Sequence, residues 1–120
     1  VVRLINELFK DLDHFAFLES LRQEKDPRIL DVRTPKEFEE GHIPGAENYD
    51  ISHPDFPRLL QDLPRERAYF VYCRSGARSL TACQLLATLG FEHVFNLRDD
   101  IISWQEELDE SDDEELESER

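Results

Sequence analysis

The residues best suited to chemistry are Cys73-Arg74-Ser75-Gly76-Ala77-Arg78, a thiol followed by two guanidinium side chains within one short segment. A thiolate is a strong nucleophile, and its pKa, near 8.5 in free cysteine, falls beside cations and at helix N-termini. Both conditions are expected here. Ala68-Tyr69-Phe70-Val71-Tyr72 precedes the thiol and is rich in aromatic and β-branched residues, so it reads as a strand. From Ser79 to Leu89 apolar residues recur at helical spacing. The intervening loop therefore enters a helix N-terminus, where unpaired N–H groups and the helix dipole favour an anion. Backbone N–H groups from Arg74 to Ser79 can line a nest for that anion, and Gly76 permits the turn this needs. Arg78, with Arg74 at the rim, is expected to add full positive charge.

Other reactive residue types read as structural. Cys83 lies three residues after Leu80 and four before Ala87, on one helix face, which suits a core thiol better than a resolving cysteine. Two cysteines make no disulfide framework and fit a reducing compartment. His14, His42, His53 and His93 are scattered without ligand spacing, so no metal and no cofactor is expected. Asp31 and Arg33 suit an ion pair at a sheet end, and Phe91 and Trp104 suit a core. Ser79 can cap the helix or donate to the sulfur, and the sequence leaves both open.

The elements that must position the loop are legible around it. Val1, Leu4, Ile5, Leu8 and Leu12 recur at helical spacing, predicting a helical extension over residues 1–12. Asp13 suits the N-cap of a second helix from Phe15 to Gln23. Arg28–Arg33 reads as a buried strand. Thr34, Pro35 and Glu37 then form the signature of a capping box with proline at the first helical position, and Gly41 ends that helix. Gly41-His42-Ile43-Pro44-Gly45-Ala46 is punctuated as a fixed turn before a short strand to Tyr49, with a proline-rich loop or helix to Pro64. Gly90 closes the helix after the cysteine loop, His93–Asn96 reads as a strand, and Ile101–Leu108 as a last helix. Strands alternating with helices predict an α/β fold with a parallel sheet covered on both faces, and ligands bind such sheets beyond the strands' carboxyl ends.

The chain has 120 residues and a formal charge of −14, enough length for one domain. Residues 105–120 hold ten acidic groups and one basic one, so they carry −9 of that charge and leave −5 on residues 1–104. Residues 109–120 have only Leu116 as an apolar residue and are expected to be a disordered acidic tail. No basic face is present to neutralise phosphates, which argues against nucleic acid and anionic membranes as partners. No apolar run approaches a membrane span and no leader pattern is visible, so a cytoplasmic protein is expected. Val1 in place of methionine leaves room for residues upstream.

Asp31-Val32-Arg33, Glu37-Phe38, Gly41 to Ala46, Tyr72 to Ser79, Leu89-Gly90-Phe91, Val94, Leu97 and Trp104 together resemble a single rhodanese domain, over about residues 13 to 108. The resemblance implies a three-layer α/β sandwich with a central, mostly parallel five-stranded sheet flanked by helices. It implies a sulfurtransferase that moves sulfane sulfur from thiosulfate or a low-molecular-weight persulfide to cyanide, a thiol or a thioredoxin-like protein. Cys73 would be nucleophile and persulfide carrier, with Arg74, Ser75, Gly76, Ala77, Arg78 and Ser79 as the binding loop. Phosphatases on the same fold, by the same resemblance, place five residues between cysteine and arginine. Here four intervene, which favours sulfur. Where the family usually has two glycines after the leucine matched by Leu97, this chain has Asp99 and Asp100, expected to oppose an anionic donor if they face the loop. A regulatory, non-catalytic binding module is the rival reading.

Overall fold

The computed structural model describes residue 4 and residues 7–101. Its elements are β1 (Lys10–Leu12), α1 (His14–Gln23), β2 (Arg28–Asp31), α2 (Pro35–Glu40), β3 (Ala46–Asn48), α3 (Phe56–Gln61), β4 (Tyr69–Tyr72), α4 (Ala77–Thr88) and β5 (Val94–Leu97). The strands form one sheet in the order β1-β5-β4-β2-β3, and every pairing is parallel. The expected α/β architecture with a five-stranded sheet is what the chain adopts.

β4 lies at the centre and all four of its residues are buried. Alternation along the strand sends Tyr69, Val71 and Cys73 into a core with Phe56 and Leu60 of α3 and Ala82, Cys83 and Leu86 of α4. Phe70 and Tyr72 point to the opposite face and pack with Phe17 of α1, Ile43, Leu97 and Ile101. A strand buried on both sides reads as a continuous apolar run, which is why Ala68 to Tyr72 stands out in the sequence. The two cores make the three layers, with α1 on one face and α3 and α4 on the other.

The helix caps follow the expected chemistry. Asp13 accepts from the Ala16 N–H at 2.9 Å to open α1. Thr34 and Glu37 close the reciprocal capping box of α2, and the Gly41 N–H bonds to Phe38 at its other end. His42 stacks on the Phe38 ring at 3.7 Å and bonds its carbonyl oxygen through Nδ1, so its role in this turn is structural. Gly90, at φ +94°, ends α4 with its N–H on the Ala87 carbonyl.

One expectation needs correction. Lys10–Leu12 is an edge strand pairing with Phe95–Leu97 of β5, so these residues belong to the sheet and not to a helical extension over 1–12. Leu8 and Leu12 have the i, i+4 spacing of a helix, yet three residues of strand are too few to show alternation. Pairing with β5 settles the matter, and the Arg98 N–H extends it onto the Leu12 carbonyl at 2.8 Å. The final helix expected over 101–108, Trp104 and the acidic stretch 109–120 lie outside the described residues, apart from the buried Ile101. Among the described residues no helix is long and apolar enough to cross a membrane.

Candidate active site

Because every strand is parallel, the segments following β1, β2, β4 and β5 leave the same edge of the sheet. Four of them meet there: residues 13–14, 33–37, 73–78 and 98–101. The Cys73 loop is the central one. Gly76 takes φ +93°, a left-handed conformation that other residues adopt at a cost, and a Cβ there would come within 2.4 Å of the Arg98 carbonyl oxygen. The Ile101 N–H bonds to the Arg74 carbonyl at 3.1 Å, so the 98–101 segment is laced to the loop at two points.

This path folds the chain around the Cys73 sulfur. Its Sγ accepts from the Gly76 N–H at 3.1 Å and the Ser79 N–H at 3.3 Å, and lies 3.4 Å from the Ser79 Oγ. Gly76 is the N-cap of α4 and contributes no side chain to cap it. The sulfur therefore does what a capping oxygen does elsewhere, satisfying an orphan amide of the first turn. The thiol is almost fully buried, at 1% exposure, which on its own would push the pKa up. Hydrogen bonds from the Ser79 hydroxyl and the Ser79, Ser75 and Gly76 amides outweigh that burial, and the Cys73 pKa is lowered. The Ser79 Oγ also lies 3.2 Å from the Gly76 carbonyl, so its single proton goes either there, bracing the turn, or to the Cys73 sulfur when that is a thiolate.

The arginines differ from expectation. Arg78 forms a two-pronged ion pair with Glu37, Nη1 to Oε1 at 2.8 Å and Nη2 to Oε2 at 3.0 Å. Its cation is compensated at contact distance, so the amide nest, more than a free arginine, carries the lowering of the thiol pKa. Arg78 still feels the sulfur, which adds to the upward push on its own pKa after the larger effect of Glu37. Arg74, Ser75 and Ala77 lie exposed on the rim. The sequence marks Glu37 as a capping residue and as part of the family resemblance; its partner is 41 positions away, and no local pattern announces the pair.

Asp99 does not offer its carboxylate freely to the loop. Its Oδ2 accepts from the His14 N–H at 2.8 Å and lies 3.0 Å from His14 Nδ1, at the start of α1. Those bonds hold the Asp99 pKa below the ordinary carboxylate value. Asp100 is exposed beside it. Asp31 and Arg33 form the expected ion pair, Nη2 to Oδ2 at 2.6 Å, with Arg33 also donating to the Gly41 carbonyl at 2.7 Å. Asp31 is fully buried and the pair braces the turn from β2 into α2. Cys83 is buried in the α4 core, where burial raises its pKa well above the usual thiol value. A separate cleft lined by Phe9, Phe91 and His93 opens at the amino ends of β1 and β5, away from the cysteine loop.

Comparison with known proteins agrees with this geometry. The rhodanese-like domain family matches residues 15–107. A sulfurtransferase of Allochromatium vinosum is 35% identical over 97 residues, covering 81% of this chain and 89% of that one. The thiosulfate sulfurtransferase GlpE of Pseudoalteromonas translucida is 29% identical, with 81% and 90% covered. Among solved structures, a rhodanese-related protein of Thermoplasma volcanium superposes with a TM-score of 0.68 at 31% identity, covering 82% of this chain and 92% of that one. With a parallel sheet, a cysteine cradled at its carboxyl edge and relatives named sulfurtransferases, this chain belongs to the rhodanese-like domain family.

Proposed function

We propose that the domain is a sulfurtransferase that carries sulfane sulfur as a persulfide on Cys73. The observation that supports it most directly is the pair of amides, Gly76 N–H at 3.1 Å and Ser79 N–H at 3.3 Å, aimed at a buried sulfur. Such donors stabilise a thiolate and, after sulfur is taken up, a persulfide anion. In the first half-reaction the Cys73 thiolate attacks the outer sulfur of thiosulfate. Its electron pair forms the new S–S bond, the old S–S bond breaks, and sulfite leaves with that bond's pair. A low-molecular-weight persulfide can serve in the same way, expelling its thiolate. In the second, cyanide or a thiol attacks the terminal sulfur and Cys73 leaves as thiolate. A general base is unnecessary, because the nucleophile is already stabilised as an anion.

Acceptors of this chemistry are cyanide, small thiols and thioredoxin-like proteins. A reducing compartment such as the cytoplasm keeps the thiol available. The test is intact mass after incubation with thiosulfate, beside a Cys73→Ser control. The expected result is gain of one sulfur atom by the wild type alone, with its release by cyanide as thiocyanate. No adduct from thiosulfate or from glutathione persulfide would exclude sulfur transfer and leave a binding module.

A further inference from the structure

Arg78 stands in the first turn of α4, one residue before Ser79, whose amide and hydroxyl reach the Cys73 sulfur. Its guanidinium is gripped by both oxygens of Glu37, an arrangement that fixes direction as well as distance. Glu37 is in turn held from the other side. Thr34 places its N–H at 3.3 Å and its Oγ1 at 3.2 Å from Glu37 Oε1, and Thr34 Oγ1 accepts the Glu37 N–H at 3.3 Å. The same oxygen thus joins the cap of α2 to Arg78, and the pair bridges the starts of two helices beside the cysteine loop.

The electrostatic consequence is as important as the positional one. An anion entering the loop meets a guanidinium with a carboxylate already in contact, a dipole and not a free cation. Two half-exposed charges that cancel at contact attract a distant anion far less than Arg78 alone would. The compensation holds throughout the neutral range, because the Arg78 and Thr34 bonds depress the Glu37 carboxyl to about 2. The cost of cancelled charge falls hardest on a doubly charged donor, since its interaction with each charge is twice that of a singly charged one.

We propose that Glu37 is a positioning residue for the cysteine loop: it aims Arg78, cancels its charge, and so sets the site against doubly charged sulfane donors in favour of singly charged ones. The donor preference rests on the sulfur-transfer reading above, whereas the control of charge at Cys73 does not.

The two are separated by measuring alkylation of Cys73 with anionic iodoacetate and neutral iodoacetamide, using peptide mapping to distinguish it from Cys83. Both reagents meet the same thiolate, so their rate ratio reports the field at the sulfur. Glu37→Gln keeps an oxygen for Thr34 and Arg78 but removes the negative charge, and should raise the iodoacetate-to-iodoacetamide ratio about twofold, as expected for a singly charged reagent. Arg78→Gln strands the Glu37 charge and should lower that ratio below wild type, which gives a reading of opposite sign should the first variant fold poorly. Thr34→Ala loses the cap but keeps both charges and should leave the ratio unchanged. An unchanged ratio in Glu37→Gln, a ratio not lowered in Arg78→Gln, or an equal rise in Thr34→Ala would each overturn the control of charge. In the donor arm, Glu37→Gln should lower KM for thiosulfate about fivefold and for the singly charged methanethiosulfonate about twofold, with kcat for both changed less. Equal KM changes for the two donors would overturn the donor preference. If the wild type takes sulfur from neither of these donors nor from glutathione persulfide while the alkylation ratio still moves, sulfur transfer and the donor preference fall and the control of charge stands.

Discussion

At the scale of single residues, the Cys73 sulfur is controlled by short polar contacts more than by neighbouring full charges. Burial opposes the thiolate, and Ser79, Ser75 and Gly76 overcome it through hydrogen bonds. A lowered thiol pKa means a larger thiolate fraction at neutral pH than in free cysteine, so the pH profile of iodoacetamide alkylation should lie to the acid side of that for an exposed thiol. Ser79→Ala removes the hydroxyl 3.4 Å from the sulfur while keeping the amide. The profile should move toward higher pH and the rate at pH 7 should fall about fivefold, the equivalent of roughly 1 kcal/mol of lost hydrogen bonding. A pH profile unchanged from wild type would leave the amides as sole stabilisers. The sequence offered Ser79 two roles. In the fold the N-cap is Gly76 and the sulfur takes the capping place, so Ser79 does not cap the helix; its one hydroxyl proton serves either the Gly76 carbonyl or the sulfur.

At the scale of elements, the loop's shape depends on a backbone conformation and on a neighbour distant in sequence. Gly76 must accept φ +93° and must lack a Cβ, since Arg98 stands where it would go. Gly76→Ala should therefore cost about 1–3 kcal/mol from the backbone alone. Added to this is displacement of the 98–101 segment, seen as a lower thermal midpoint together with slower alkylation of Cys73. The turn was legible from the glycine in a cysteine loop; the Arg98 contact was not, because 22 positions separate the two. Thr34, Pro35 and Glu37 announced α2 for a local reason, as capping is decided within one helical turn. By contrast, nothing near Lys10–Leu12 marks an edge strand, which pairs with β5, more than eighty positions away.

At the scale of the whole molecule, the parallel sheet brings four loops to one edge, and buried polar groups keep that edge in register. Asp31 and Arg33 form the main such pair, and Asn48 Nδ2 donates to both their carbonyls at 3.1 Å and 2.9 Å. Asp31→Ala would leave the nearly buried Arg33 without its counter-charge. The expected cost is about 3–5 kcal/mol in urea unfolding, well beyond that of an exposed ion pair. A loss below about 1 kcal/mol would show that water or the Gly41 carbonyl satisfies Arg33 adequately. By itself the sequence determined the alternation of strand and helix, the buried central strand, the caps of α1 and α2, and the thiol at a helix start, because each is fixed by residues within a turn or two of one another. Only the tertiary structure decided that Lys10–Leu12 joins the sheet, that Arg78 is spent on Glu37, and that Asp99 serves His14. Those outcomes depend on which charged groups come within about 3 Å after the sheet has assembled, a distance that spacing along the chain does not encode.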